Sequence, residues 1–166
     1  MDREKKESTF RSMRRAGQQL PEERCREILA AGRRGTLAVL GDGGYPYAVP
    51  LNYMYDRQRD CIYFHGAREG HKIDAVRRCS KVSFNVLSEG WKEEGTWWLQ
   101  FDSVTVFGRI RAAEEPELKF AMLRGIGEKY YPAGTDVAKI AREAIDRVFI
   151  LELRIEHITG KHVNEK

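Results

Sequence analysis

The chain has 166 residues, 42% of them hydrophobic, which is enough for one domain with a core and too few for two ordinary ones. No apolar run approaches the length of a membrane span, and the charged start MDREKKESTFRSMRR has neither the apolar region of a secretory signal nor a lipidation motif, so the expected location is the cytoplasm. The net charge of +4 is spread among interleaved acidic and basic residues, a weak basis for a nucleic-acid surface, and three scattered cysteines without a CxxC pair (Cys25, Cys61, Cys79) suggest neither a disulfide framework nor a zinc site.

Residues 1–19 are polar and read as a loose arm; the folded domain is expected over 20–161, with a short tail over 162–166. Order begins at LPEERCREILAAG, where Pro21 suits a first helical turn, Glu22 and Glu23 suit its positive end, and Gly32 stops it. GTLAVL (35–40) reads as a buried strand and GDGGYP as the turn of a hairpin. The return strand YPYAVPLNYMYD places Tyr47, Val49, Leu51, Tyr53 and Tyr55 on one face, and Ala48, Pro50, Asn52 and Met54 on the other. DRQRD is a turn, CIYFHG a third strand, KIDAVRRC a short helix with one apolar side, and KVSFNVL a fourth strand. After the loop SEGWKEEGT, the run WWLQFDSVTVFGRIRAA is long enough for one bent strand with Gly108 as its bulge. A helix over about 115–130, another within TDVAKIAREAIDR, and a last strand VFILELRIEHI complete the chain. About six strands in hairpin order, with short helices between them, favour an antiparallel barrel over a parallel sheet.

Two stretches point to chemistry. Pro50 removes a ladder hydrogen bond from the return strand, which suits a sheet edge; a free edge offers the alternating N–H and C=O groups that a planar heterocycle requires, while a plain edge strand is the simpler alternative. In IYFHGAREGHKID, Gly66, Ala67 and Gly70 let backbone approach a ligand, a helix begins near His71 with free N–H groups, and Lys72 adds a full charge. That is the physics of a phosphate site, with a solvated loop as the alternative and Arg68 either assisting or facing solvent. The pattern is neither GxxxxGK[ST] nor GxGxxG after a strand. The close glycines of LRGIGEKYY follow no strand and read as a loosened helix; Ser103 lacks a GxSxG context, and His157 and His162 lack ligand spacing. Trp97 and Trp98 are assigned to core and interface packing, with covering a bound substrate as the alternative.

GTLAVLGDGGYPYAVPLNYMYD, IYFHGAREGHKIDAVRR, KVSFNV, DSVTVFGRI and RIEHITGK together resemble the nitroimidazole-resistance family of the pyridoxamine 5'-phosphate oxidase-like, FMN-binding split barrels. The resemblance implies a mainly β fold, a six-stranded antiparallel split β-barrel, and a homodimer with flavin at the subunit interface. It implies that the strand carrying Tyr47, Val49, Pro50, Leu51 and Asn52 lies along the flavin ring, that Phe64, His65, Gly66, His71 and Lys72 hold the phosphate end, and that Ser103 reaches the flavin from the long strand. His71 stands where the oxidases proper have arginine, and is the candidate proton donor. The ending ITGKHVNEK lacks the Arg- and Trp-containing segment of those oxidases, so a pyridoxal-type substrate is not expected. The implied function is an FMN-dependent oxidoreductase, with FAD as the other candidate cofactor, passing an NAD(P)H-derived hydride to nitroaromatic or other small molecules. The alternatives are a flavin- or haem-binding module without turnover, a pyridoxamine-phosphate-oxidase-like enzyme, or a small barrel that binds nucleic acid.

Overall fold

The structure, a computed structural model, describes residues 10–164; the expected arm residues 1–9 and tail residues 165–166 lie outside it. In chain order the elements are α1 (Glu22–Ala31), β1 (Arg34–Leu40), β2 (Pro46–Asn52), β3 (Met54–Asp56), β4 (Cys61–Gly66), α2 (His71–Arg78), β5 (Lys81–Leu87), β6 (Gln100–Ala112), α3 (Pro116–Tyr130), α4 (Val137–Ala144) and β7 (Phe149–Asn164). The strands form one curled antiparallel sheet of seven, in the order β2-β1-β5-β6-β7-β4-β3. β2 and β3 stand at its opposite edges although Tyr53 alone separates them. The continuous segment from Pro46 to Asp56 therefore joins the two edges covalently, which makes the sheet a split barrel.

Three sequence expectations change. The single return strand breaks at Tyr53, so there are seven strands rather than about six. The long strand begins at Gln100, not at Trp97, because the preceding loop folds back and pairs Trp91 with Gln100 through two backbone hydrogen bonds of 2.8 Å. The last strand runs to Asn164, past Ile158 and into the expected tail, because the long β6 offers it partners as far as Gln100. Gly108 is the bulge of β6: the ladder to β7 shifts register between Phe107 and Gly108, where a side chain would collide with the Arg154 carbonyl.

The barrel core is built from alternate strand residues, among them Leu37, Ile62, Val86, Val104 and Leu153, around the rings of Tyr53, Phe64 and Phe84. Phe84 meets Tyr53 and Phe64 edge-on at centroid distances of 4.9 and 5.0 Å. α1 contributes Cys25, Ile28 and Leu29 to this core, while α3 covers a second cluster of Cys61, Tyr63, Met122, Ile126 and Ile150.

The corner at Tyr53 leaves both ladders, so its backbone groups need other partners. The end of α3 provides them. The Tyr130 hydroxyl accepts from the Tyr53 N–H at 3.0 Å and lies 2.8 Å from the Tyr53 carbonyl, with the Arg33 carbonyl also in reach of its single proton. The Tyr53 hydroxyl donates to the Leu29 carbonyl at 2.7 Å. Lys129 donates to the Gly32 carbonyl and holds its ammonium 4.4 Å above the Tyr53 ring.

Burial, with a smaller contribution from Arg33, nevertheless lowers the Lys129 ammonium from 10.5 to about 8. Between those two values the unfolded chain binds more protons than the folded one, so this group makes stability rise with pH across about 8 to 10.5 and leaves it flat below. Urea unfolding of wild type and Lys129→Met is expected to show the wild type gaining on the variant across that window. A pH-independent difference would contradict the placement.

Candidate functional site

The same break that makes the corner opens a slit. Among the described residues β2 pairs with no strand but β1, so its other side is a sheet edge, and Pro50, opposite Thr36, sits on an edge strand where a missing N–H is tolerated. The β3–β4 ladder ends at Met54–Tyr63, so Phe64, His65 and Gly66 bond to β7 on one side and, among the described residues, have no strand on the other. Continued through the corner, that register would set Asn52 against His65; instead β2 diverges, and these two side chains line one cavity.

The loop after β4 and the start of α2 form the far end. Gly70, at φ 118°, makes a turn that disfavours any other residue, and its carbonyl accepts from the N–H groups of Ile73 and Asp74. Lys72, in the first turn, reaches back over Gly66: a Cβ there would lie 3.3 Å from the ammonium nitrogen. Lys72 is partly buried, burial pushes its pKa down, and among the described residues no carboxylate pairs with it. His65 keeps an exposed side in this single chain, yet its pKa is shifted down, by desolvation of the ring first and by Lys72 second, which favours the neutral imidazole. An uncompensated cation beside a glycine and free helix N–H groups fits an anionic group such as a phosphate.

His71 is placed differently. Its ring stacks on Tyr47 at 4.2 Å and 13°, and its Nε2 accepts from the Asp42 N–H at 3.2 Å. Arg78 holds the Asp42 carboxylate at 2.7 Å, so the β1–β2 turn, β2 and α2 are tied together. Only Nδ1 of His71 is left for another partner.

The remaining expected residues divide. Tyr47, Leu51 and, less deeply, Val49 turn toward the barrel, while Pro50 is exposed. The Phe64 side chain is committed to the core at 1% exposure, so only its backbone can face a ligand. Ser103 pairs with Leu87 and Lys161 on β6, with β1 and β5 between it and β2; a single chain does not bring it to the slit. Trp97 stands exposed in the loop before β6.

The sequence reading passed over the corner clamp of Lys129 and Tyr130 and a polar cluster at the start of β6. There His162 places Nδ1 3.0 Å from Asp102 and Nε2 3.2 Å from the Gln100 side-chain oxygen, with Arg24 3.4 Å from the same aspartate. An amide, not a hydroxyl or thiol, occupies the nucleophile's position, so this is no hydrolytic triad. Among the described residues, no group of three or more His, Cys, Asp or Glu could hold a metal ion, and no helix is long and apolar enough to cross a membrane.

Residues 21–162 match the family described as pyridoxamine 5'-phosphate oxidase. Among solved structures, the chain is similar to a candidate 5-nitroimidazole antibiotic resistance protein from Bacteroides thetaiotaomicron, at 21% identity and a TM-score of 0.72, covering 87% of this chain and 86% of that one. It is similar to an FAD-binding protein from Mesorhizobium loti, at 24% identity and a TM-score of 0.62, covering 88% and 97%. An FAD and heme binding protein from Mycobacterium smegmatis shares 18% identity with a TM-score of 0.65, over 90% and 74%. No curated protein matches the sequence.

Proposed function

The chain belongs to the pyridoxamine 5'-phosphate oxidase family, and from that premise we propose that it holds a flavin in the slit beside β2 and acts as a flavin-dependent oxidoreductase on small molecules, nitroaromatic compounds among them. The observation that carries this reading is the pairing, along one slit, of a β2 edge and a partly buried Lys72 that have, among the described residues, no strand and no carboxylate as partner. A bound flavin supplies two-electron transfer. The chain's own residues do the rest. Lys72 and the first N–H groups of α2 hold the phosphate end, and the backbone of Val49 to Asn52 meets the donor and acceptor edge of the ring system. His65, kept neutral, offers one donor and one acceptor at the slit's inner end. His71 fixes the start of β2 through Tyr47 and has Nδ1 for any proton transfer.

The protein works as a homodimer in this reading, since Ser103 can approach the slit only from a second copy, and exposed Leu40, Leu87 and Phe107 offer apolar surface for the contact. FMN is the proposed cofactor, because the slit's cation count suits one phosphate. Anaerobic addition of NADH or NADPH to the flavin-loaded protein, followed by nitrobenzene, tests the activity. The expected result is bleaching of the flavin band and its return on adding the nitro compound. A flavin that stays oxidised with both donors would overturn the oxidoreductase reading and leave a binding module.

A further inference from the structure

α3 and α4 pack as a hairpin over the inner end of the slit and do not fill the space beneath them. A chamber of about 240 Å³ remains, walled by Leu123, Ile126 and Gly127 of α3 and by Ile140, Ala141 and Ala144 of α4. The chamber opens to solvent on one side, so a ligand can enter it without the helices moving apart. Its walls are mostly apolar, with Tyr130 and Tyr131 also lining it, and among the described residues no Asp, Glu, Lys or Arg does. Asn52 and His65, the two residues flanking the break between β2 and β4, stand at its polar side, so the chamber is continuous with the slit. Gly127 belongs to the GxG within α3, which stays a continuous helix there: a side chain would strike Val137, so the glycine lets α3 and α4 approach at one point while the chamber stays open beside it.

We propose that this chamber is the substrate side of the flavin slit and takes a neutral, single-ring organic molecule whose polar substituent meets Asn52 and His65. The proposal rests on the flavin reading above. Size sets the first limit: a cavity of about 150 Å³ accepts benzene and drug-sized ligands need about 300 Å³ or more, so the walled part of this one suits a substituted monocycle and is too small to enclose a nucleotide. Charge sets the second. A phosphorylated or carboxylated ring would leave water for mostly apolar walls that, among the described residues, no cation lines, because Lys72 lies against Gly66 outside the chamber. The neutral state favoured for His65 supports the same choice, since it can donate to or accept from a nitro, carbonyl or amide group without demanding a counter-ion.

The test uses fluorine NMR of 4-fluorobenzamide and 4-fluorobenzenesulfonate with the purified full chain, in wild type, Ala144→Phe and the milder Ala144→Leu, with FMN retention measured on each sample. The expected result is binding of the amide but not the sulfonate, weakened roughly tenfold or more by Ala144→Phe and less by Ala144→Leu, with FMN retained in all three. Amide binding that neither variant alters, or sulfonate binding as tight as the amide's, would overturn the assignment. Failure of the flavin reading is separately visible: wild type that binds the amide and keeps no FMN has the chamber without the cofactor.

Discussion

Lys72→Ala is expected to weaken FMN binding about 10- to 100-fold, the range of one or two lost charge-assisted hydrogen bonds, while Arg68→Ala changes it less than about threefold. The two cations are four residues apart and differ in placement. Lys72 is in the first turn of α2, partly buried, with its ammonium against Gly66 and its pKa pushed down by burial; an incoming phosphate neutralises a charge that no carboxylate among the described residues meets. Arg68 is exposed in the loop between β4 and α2, where solvent screens whatever it meets. Dissociation constants from fluorescence titration check the pair. Equal values for the two variants would refute the placement of the phosphate at Lys72.

The largest effect on stability is expected at Phe84. Its fully buried ring meets the rings of Tyr53 and Phe64, and fills the space beside Gly35, where a side chain would strike it. Phe84→Ala removes the centre of that cluster and should cost about 3–5 kcal/mol, a large fraction of the whole stability of a domain this size. Phe84→Leu, which retains much of the volume, should cost less than about 2 kcal/mol. Urea unfolding with an unchanged slope separates the two, and a loss below about 1 kcal/mol for alanine would show that Phe84 is not the centre of the core. Because Tyr53 is also the corner between β2 and β3, the alanine variant should weaken flavin binding too, although Phe84 lines no part of the slit.

How much of this was legible in the sequence depends on whether the signal is local. Pro50 marked an edge and Gly108 a bulge, because each residue type has a backbone consequence that no neighbour can hide. Gly66, Gly70 and Lys72 marked a possible anion site for the same reason. The corner at Tyr53 left no trace: the alternation from Tyr47 to Tyr55 runs through it in phase, and a period of two says which face is buried, not which strand is the partner. Strand ends were lost where pairing over-rode composition. The polar segment after Ile158 stays extended because β6 is there to receive it, and the aromatic run at Trp97 stays out of the sheet because Gln100 pairs back to Trp91. The chamber was illegible for another reason. The apolar residues of α3 and α4 have ordinary core spacing, and a gap between two helices has no residue of its own.

The measurement that tests the central claim most directly is the absorbance spectrum of the protein after loading with FMN and desalting, for wild type and Lys72→Ala side by side. The account predicts an equimolar flavin band retained by the wild type and lost from the variant at the same protein concentration. A colourless wild type, or a band that Lys72→Ala retains undiminished, would contradict a flavin held between the β2 edge and α2.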